Sequence, residues 1–433
     1  MILILVDQIT PRLVYTFDFV FKERGYEYAL ETDSMKFVQA KGLKLNYSKQ
    51  LFSGICQFEI STVLADQGLK QYTIQKSFFN TIECLSFDGI TDIFASVFYV
   101  LSRMEEYYDS PCDDHGRFRA KDSVLYRFGW LKKAVCDRWS EAVLSSISKN
   151  DVNFDYRKKA HNIEICPTFD IDSSYAYKHK GIFRTILSFT KDLVNFDIKR
   201  LTERFKVGFE LMSDPFDTFD FIGSLSHQGF NVRLFWLLSD YTKNDKNIQA
   251  LNLEQRKLIQ KMHKNHCIGI HPGYGTMYNC SQLETEKNRL EKIIGERVNH
   301  SRQHFLRVSI PETYHCLLKC KITNDYTMGY AEMTGFRAGT AKSFQWFDIT
   351  NNTVTSLTIH PFVYMDGTFN DYLKSTIQES KQITNQLYQE IKKFGGSMRF
   401  IWHNETVSNN GRWAGWNELL EYTLQLNNGK NDE

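Results

Sequence analysis

The 433-residue sequence contains little proline, no paired cysteine framework and no excess of one charge. Its 7 prolines form no proline-rich run, which argues against long extended linkers. Its 9 cysteines are scattered, and this pattern favours reduced thiols over disulfides. Cys316 and Cys320 fit one buried helical stripe better than a zinc site, because no second cysteine pair accompanies them. The net charge of +2 without a dense basic run argues against nucleic acid as a partner.

The sequence also lacks an apolar run long enough to cross a membrane. Its longest apolar stretch, near residues 93–101, is far shorter than the roughly 20 residues that a spanning helix needs. The N-terminus has no basic region and reaches Asp7 after five apolar residues, so it predicts a strand rather than a signal peptide. Together with reduced thiols, these absences predict a soluble, cytoplasmic protein with no integral membrane segment. The oligomeric state stays open.

What the sequence does contain is a change of pattern near residue 155. Residues 1–155 predict a smaller α+β domain, in which helices alternate with short strands such as 36–40. Its role stays open between partner docking and substrate gating, and its polar loop at 109–118 is expected to be capped and solvated. Residues 156–433 alternate strands with helices, which predicts a parallel α/β domain, either an open sheet or a barrel. The predicted strands of this domain are 162–169, 232–238, 267–271, 305–308, 327–331, 356–361 and 398–402.

Two carboxylates end the first predicted strand of the second region. Asp170 and Asp172 belong to the run Cys-Pro-Thr-Phe-Asp-Ile-Asp, and their spacing puts both side chains on the same face of a strand. Two carboxylates held this close repel each other, and a cation beside them removes the repulsion. The alternative interpretation is a pair that caps the start of a following helix.

Histidines recur at the carboxyl ends of the later predicted strands. His271, His360 and His403 each end or follow a strand, and His304 lies where the chain re-enters the sheet. Each histidine alone is more often a hydrogen-bonded loop residue. Because the reactive residues of parallel α/β proteins lie at this edge, the recurrence favours a shared site.

These motifs resemble the polysaccharide deacetylases with a NodB-homology domain, carbohydrate esterase family 4, over residues 163–426. Thr-Phe-Asp-Ile-Asp at 168–172 resembles the first motif of that family, and residues 270–276 resemble the second. Residues 301–305 lie where the family has its arginine motif, and residues 400–404 resemble the last motif. The resemblance implies a NodB-like distorted (β/α)7 barrel. It also implies a divergent bacterial subgroup with an added N-terminal domain, of a kind associated with surface polysaccharides.

The resemblance implies a role for each motif residue. Asp170 corresponds to the general base and His403 to the catalytic acid. Arg302 would hold Asp170 oriented and ionised, and Asp366 occupies the place of an aspartate that tunes the catalytic histidine.

The metal ligands implied by the resemblance are Asp172, His271 and His304. The family normally supplies two histidines four residues apart, but Gly275 stands where the second is expected. His304 replaces a proline of the family pattern and is the candidate third ligand. A set of one carboxylate and two imidazoles suits zinc or another divalent transition ion with open positions.

Several further residues are candidates for substrate binding. The backbone N–H of Phe305 is a candidate donor to the oxyanion, and the glycine-shaped loop 335–340 around Arg337 is expected to line the cleft. Aromatic side chains near the motifs are candidate sugar platforms, although core or rim packing is the more common role for any one of them. These aromatics are Tyr274, Trp346, Trp402 and Trp413.

The predicted function is therefore a metal-dependent hydrolase that removes N-acetyl groups from an amino sugar or a surface-polysaccharide precursor. One alternative is a hydrolase of a small non-sugar amide on the same fold, which a deep closed pocket would favour. A second is a non-catalytic glycan-binding protein, for which the missing histidine at Gly275 argues.

Overall fold

The computed structural model describes residues 1–151, 154, 156 and 163–426. Its strands are β1 (Ile2–Val6), β2 (Tyr28–Glu31), β3 (Leu43–Tyr47), β4 (Cys56–Gln57), β5 (Ile74–Phe79), β6 (Ile82–Phe87), β7 (Ile90–Thr91), β8 (Ile163–Ile171), β9 (Arg233–Leu237), β10 (Cys267–His271), β11 (His300–Ser301), β12 (Asn324–Asp325), β13 (Phe344–Asp348), β14 (Thr353–Ile359) and β15 (Gly396–His403). Its α-helices are α1 (Pro11–Val20), α2 (Ser34–Gln39), α3 (Ile93–Leu101), α4 (Val124–Arg127), α5 (Val135–Asn150), α6 (Ile182–Val194), α7 (Ile198–Gly208), α8 (Phe219–His227), α9 (Leu253–His263), α10 (Cys280–Ile294), α11 (Glu312–Lys319), α12 (Ile377–Phe394), α13 (Asn404–Val407) and α14 (Asn417–Gln425).

The largest sheet has eight strands in the order β13-β14-β12-β11-β10-β9-β8-β15. All neighbours pair in parallel except β13, which runs antiparallel to β14. The parallel strands read as apolar runs because helices cover their outer face, as expected for an α/β sheet. The mixed α/β class of this region is confirmed.

The eight-stranded sheet curls, so that one segment after β14 reaches the far edge of β15. The Phe362 N–H donates to the Met328 carbonyl, and the next residue, Val363, donates to the carbonyl of Arg399 in β15. The Ile401 N–H in turn donates to the Tyr364 carbonyl. These bonds bring the two ends of the sheet towards each other around the site.

The N-terminal region holds a parallel sheet, β2-β1-β3-β4, and an antiparallel sheet, β5-β6-β7. The predicted strand at 36–40 is wrong, because this segment belongs to helix α2. The Asp33 carboxylate accepts hydrogen bonds from the N–H groups of Met35 and Lys36 and so caps that helix. A local cap therefore outweighs the alternating hydrophobic pattern.

The N-terminal region packs directly on the eight-stranded sheet. Phe98 of α3 lies edge-on to Phe347 of β13, with ring centroids 5.1 Å apart, and Tyr15 of α1 packs against the same ring. One buried hydrophobic cluster includes residues of both regions. The predicted boundary after residue 155 lies outside the described residues, as does the predicted first residue of β8, Asn162.

Two predicted strands are displaced in the structure. The predicted strand at 305–308 is wrong, because β11 pairs earlier, at His300 and Ser301, and residues 304–306 form a 3-10 turn. The predicted strand at 327–331 is replaced by the short β12, after which the chain leaves the sheet. Both strands are short, so their hydrophobic pattern gives little register information.

Cys280 and Cys316 form a disulfide that links α10 to α11, which contradicts the expectation that all thiols stay reduced. The helical stripe that includes Cys316 was expected, but its partner on α10 is not evident from spacing along the chain. Across the described residues, the helices are all too short or too polar to cross a membrane.

Candidate metal centre and active site

The site lies at the carboxyl edge of the parallel strands. In the strand register His403 of β15 is opposite Asp170 of β8, and His271 is opposite Leu237 at the end of β9. After β11 the chain stays close to β10, because the N–H of Arg302 donates to Ile270 and that of His304 donates to Pro272. Parallel pairing therefore brings residues far apart in sequence to one edge.

Asp172, His271 and His304 form a cluster that could hold a metal ion. One ligand atom from each lies within 4.8 Å of the others. The Nε2 atom of His271 lies 3.3 Å from Asp172 Oδ1, and Nε2 of His304 lies 3.6 Å from Asp172 Oδ2. Asp172 Oδ1 is buried and accepts no hydrogen bond from any described residue. A buried carboxylate oxygen without a donor fits a cation, which would supply the missing partner.

The other ring nitrogen of each histidine is already engaged. His271 Nδ1 lies 2.6 Å from the Arg302 carbonyl oxygen, and because a carbonyl only accepts, Nδ1 carries the proton. His304 Nδ1 lies 2.7 Å from the buried Asp245 carboxylate. Both partners leave Nε2 directed towards Asp172, which is the arrangement that orients histidine ligands in metal sites.

Electrostatics at the cluster favour a positive charge. Burial disfavours protonation of His304, but the carboxylates of Asp172 and Asp245 raise its pKa to about 9. Burial also disfavours ionisation of Asp172, yet the facing imidazoles of His304 and His271 hold the pKa of that carboxyl well below its usual range. The carboxylates of Asp172 and Asp245 therefore stabilise a positive charge at this cluster.

Asp170 is held by a buried arginine. Arg302 Nη1 donates to Asp170 Oδ1 at 2.8 Å, and its Nη2 donates to Thr168 Oγ1 at the same distance. The Arg302 guanidinium also packs over the Phe235 ring at 4.4 Å. The second oxygen of Asp170 lies 3.8 Å from His271 Nε2, beside the metal cluster. Asp170 is therefore oriented with one oxygen paired and the other directed towards the cluster.

His403 faces a second carboxylate. Its Nδ1 lies 2.9 Å from Asp366 Oδ1, and the Asp366 carboxylate also accepts from the His403 N–H and the Thr406 hydroxyl. Burial opposes protonation of the imidazole, but Asp366, Asp172 and Asp170 together raise the pKa of His403 well above its ordinary value. This environment favours the protonated form of His403.

A cavity of about 230 Å³ connects these groups and opens into a larger one of about 940 Å³. The smaller cavity is bordered by Asp170, Asp172, His271, His304, Asp366 and His403. Residues that the motifs did not indicate complete its wall, and these include Arg117, Leu306, Met365, Asp371, Tyr372, Glu405 and Arg412. Trp413 borders both cavities, so one predicted aromatic platform lies at the site.

The segment after His304 has an unusual backbone. Phe305 has φ of 58° and Leu306 has φ of 55°, two consecutive non-glycine residues in the left-handed region. Such conformations cost energy and persist only where the surroundings hold them. Arg117 from the N-terminal region does so here, because its Nη1 donates to the Phe305 carbonyl at 2.9 Å. Phe305 and Leu306 both border the cavity, and the role of the Phe305 N–H as an oxyanion donor stays a prediction.

Arg337, Trp346 and Trp402 do not reach the cavity. Arg337 is buried and forms a two-bond pair with Glu106 of the N-terminal region, at 2.5 and 2.9 Å. Trp346 is buried and donates to Tyr107, and Trp402 is buried in the core of β15. The expectation that these three bind substrate is corrected accordingly.

The loop 335–340 also differs from its expected place in the cleft. Gly335, with φ of +134°, lies so close to Leu131 that an added Cβ would be 2.2 Å from that carbonyl oxygen. The glycines of this loop therefore allow it to approach the N-terminal region and not the cavity.

Tyr274 lies beside the site without bordering the smaller cavity. Its hydroxyl is 3.2 Å from His115 Nδ1, and the Arg307 guanidinium lies 3.8 Å from its ring centre. Tyr274 therefore packs between the loop 109–118 and the turn after β10, where it supports the wall formed by Phe305.

Two functional partners were missed from the sequence. Asp245 lies in a loop after β9 and has no motif around it, and Arg117 belongs to the loop that was expected to be solvated. The signal for Asp245 was weak, since one aspartate among 51 acidic residues does not stand out. Arg117 could have been found from the density of charged residues in 109–118. We interpreted those charges as belonging to a solvated loop, and the role of Arg117 was therefore missed.

Residues 2–151 match the model of a family of unknown function, DUF7033. No curated protein matches the chain.

Three solved structures resemble part of the chain. A Mycobacterium smegmatis protein assigned as a polysaccharide deacetylase shares 13% identity over 63% of this chain and 87% of its own, with a TM-score of 0.38. Puue allantoinase shares 12% identity over 61% of this chain and 85% of its own, with a TM-score of 0.39. The polysaccharide deacetylase Bc1974 from Bacillus cereus shares 10% identity over 60% of this chain and 85% of its own, with a TM-score of 0.28. At this level of similarity, chemical assignments depend on the residues of the site itself.

Proposed function

We propose that the chain is a metal-dependent amide hydrolase that removes N-acetyl groups from an amino sugar or a surface-polysaccharide precursor. The observation that carries the proposal is the joint placement of two pairs around one cavity. Asp170 with Arg302 lies beside the candidate metal cluster, and His403 with Asp366 lies on the same cavity. We take the curled sheet to be a divergent NodB-like (β/α)7 barrel and residues 1–155 to be an added domain.

Asp172, His271 and His304 would hold the metal, with zinc as the ion best suited to one carboxylate and two imidazoles. When bound, such an ion polarises a carbonyl oxygen and makes a bound water more acidic. Gly275 does not supply a ligand, and its place is taken by His304 from the following strand connection. An added Cβ at Gly275 would meet Gln282 at 2.7 Å, so a histidine there would require the helix α10 side chain to move.

The protein groups divide the proton transfers. Asp170 accepts a proton from the attacking water as the new carbon–oxygen bond forms, and Arg302 keeps its carboxylate oriented. His403 donates its proton to the departing nitrogen as the carbon–nitrogen bond breaks, and Asp366 stabilises the imidazolium before that step. Acetate and a free amine leave the site.

The two connected cavities leave room for a sugar longer than one unit. The inner cavity has a volume of about 230 Å³ and is bordered by the candidate catalytic groups. It opens into the cavity of about 940 Å³, which offers room for further sugar units beyond the reacting one. Trp413 borders both cavities, and we expect it to contact the substrate where they join.

The first test measures metal content and acetate release together. Wild-type protein should bind about one equivalent of zinc and release acetate from N-acetylglucosamine oligomers. His304→Ala should lose metal, whereas Asp170→Asn should keep metal and lose most turnover. His315→Ala is the matched control, because His315 also faces a carboxylate, Asp348 at 2.7 Å, but lies outside the cavity.

Two results would count against the proposal. Normal turnover by Asp170→Asn would exclude its role as the base. Wild-type protein that stays free of metal after incubation with zinc, yet binds glycan oligomers, would favour a non-catalytic glycan-binding protein.

A further inference from the structure

The segment between β8 and β9 contains a helical hairpin, α6 and α7, on which many large apolar side chains are exposed. The segment 186–211 carries ten of the large hydrophobic side chains that are exposed among the described residues, although it is only 26 residues long. Its most exposed members include Leu187, Val194, Phe196, Ile198, Phe205 and Phe209. A contiguous exposed apolar face of this kind indicates a surface that another partner covers.

The hairpin is inverted relative to an ordinary surface helix pair. Two of its charged side chains face inward, where Arg204 pairs with Asp192 at 2.7 Å and lies 4.9 Å from the Tyr177 ring centre. These charged side chains are only 12% and 6% exposed. A surface helix normally buries its apolar stripe and exposes its polar one. Here the apolar stripe is exposed, so it is available to contact a partner outside the chain.

The tip of the hairpin is its most apolar part. Val194, Phe196 and Ile198 are 74%, 86% and 73% exposed, and Phe196 occupies a left-handed turn with φ of 53°. Asp197 caps the second helix by accepting from the Arg200 N–H, so the turn is fixed although its apolar side chains project outward. A fixed turn presents these three side chains as one surface.

Basic residues accompany this apolar face. Residues 178–211 contain eight lysines and arginines against four aspartates and glutamates, whereas the whole chain has a net charge of only +2. Lys199 and Lys206 of α7 are exposed. Amphipathic helices with aromatic and aliphatic residues on one face and basic residues beside them bind at the interface of anionic bilayers.

We propose that the α6–α7 hairpin docks on an anionic lipid bilayer, with its apolar tip in the headgroup region and its lysines on the phosphates. A second copy of the chain fits less well, because two basic hairpins would repel each other. Ser188, Arg200 and Arg204 of the hairpin also border the larger cavity, so docking holds that cavity at the membrane surface. The inference is independent of the proposed hydrolysis, because the test measures binding.

The test is cosedimentation of the full-length protein with vesicles. Wild type should sediment with phosphatidylcholine vesicles that contain phosphatidylglycerol, and at least about tenfold less with phosphatidylcholine alone. The combined variant Val194→Ser, Phe196→Ser and Ile198→Ser should lose binding at least about tenfold, because its apolar side chains no longer enter the interface. Its thermal midpoint should stay close to wild type, since these side chains pack on little else.

Two further variants separate the contributions. Lys199→Glu with Lys206→Glu should weaken binding to the anionic vesicles and reduce its dependence on salt. Met35→Ser, Val38→Ser and Leu51→Ser together form the matched control, because these side chains are also exposed but lie in the N-terminal region. This control should bind as wild type does.

Three results would overturn the proposal. The first is wild type that remains in the supernatant with anionic vesicles, and the second is a tip variant that binds them as tightly as wild type. The third is a wild-type dimer that the tip substitutions dissociate while vesicle binding is absent, which would assign the face to a second copy of the chain.

Discussion

At the scale of single residues, the candidate ligands depend on side chains that do not bind metal themselves. Asp245 is buried and fixes the ring of His304 through Nδ1, and it also accepts from the Tyr274 N–H at 2.9 Å. This carboxylate keeps Nε2 of His304 directed at Asp172 and makes the imidazole a stronger donor to a cation. Substitution of such a partner weakens metal binding although every ligand remains.

Asp245→Asn tests this dependence. We expect the affinity for zinc to fall roughly 10- to 100-fold, because the neutral amide orients His304 less strongly and contributes no charge. Competition with a chelating dye at neutral pH measures the change. Asp348→Asn, which faces His315 outside the cavity, is the control and should leave the affinity unchanged. Equal affinities for wild type and Asp245→Asn would exclude the positioning role.

Glu286 of α10 is a second buried carboxyl close to this network. It accepts from the Gly273 N–H at 2.7 Å, and burial, together with the charge of Asp245, raises its pKa to about 7. A carboxyl whose pKa is higher in the folded protein binds its proton more tightly there. Its contribution to stability is therefore fully present below the ordinary value near 4.5 and is lost as the pH rises through about 7.

The free energy of unfolding of the Glu286→Gln variant should therefore increase, relative to that of wild type, as the pH rises. Between pH of about 5 and about 8 the relative gain in the free energy of unfolding should approach ~3 kcal/mol. Urea unfolding at both pH values measures it. Glu284→Gln, on the exposed side of the same helix, is the comparison. A gain that is independent of pH would mean that Glu286 is ionised throughout this range.

At the scale of elements, the loop 109–118 connects the N-terminal region to the site. Arg117 is held by Asp113 at 2.7 Å and donates to Tyr372 of the π-helical turn Thr368–Leu373 at 3.1 Å, as well as to the Phe305 carbonyl. One side chain thus joins three segments that border the cavity. The loop positions the wall of the site.

Arg117→Ala should lower kcat/KM by about tenfold or more, because Phe305 and Tyr372 lose the contact that fixes them. Its zinc content should stay at the wild-type level, since Arg117 touches none of the candidate ligands. Steady-state deacetylation kinetics and metal analysis measure both. Arg119→Ala is the matched control, as Arg119 lies in the next turn and, within the described part of the chain, pairs with the exposed Asp122. A parallel loss in both variants would mean that the loop has a general structural role.

Hydrophobic patterning predicted several of the longer strands of the second region well and the two-residue strands poorly. The strand Cys267–His271 was predicted with its observed bounds, because its apolar run is flanked by clear helices. β11 and β12 have two residues each, and their positions depend on pairing with neighbouring strands, which local sequence does not encode. The helix α2 was missed because the cap that Asp33 provides outweighs the short alternation of apolar and polar residues at 36–40.

The candidate site was predictable where a strand end fixes a side chain. Asp170, His271 and His403 follow from parallel pairing, because the carboxyl ends of such strands meet at one edge. Asp245, Arg117 and the inward-facing Arg204 were not predictable, because each owes its place to packing between segments distant in sequence. Arg337 was wrongly expected at the site because its pairing with Glu106, which lies far away in sequence, is also not visible from the local sequence.

At the scale of the whole molecule, a buried ion pair between Glu106 and Arg337 joins the N-terminal region to the loop 335–340 of the second region. Glu106 accepts from Arg103 at 2.7 Å and from Arg337 at 2.5 Å, and all three side chains are at most 2% exposed. The Arg337 and Arg103 charges hold the pKa of Glu106 below its usual range although burial opposes ionisation. Because one hydrophobic cluster also spans both regions, we expect them to unfold together.

Glu106→Gln should destabilise the protein by about 3–5 kcal/mol, because it leaves two buried guanidinium groups without their shared carboxylate. Calorimetry should show one transition in wild type and in the variant, with a lower midpoint in the variant. Asp220→Asn removes an exposed pair with Lys261 and should leave the midpoint unchanged. Two separate transitions, with only the first shifted by Glu106→Gln, would mean that the N-terminal region folds independently and that its contacts with the sheet do not couple their stabilities.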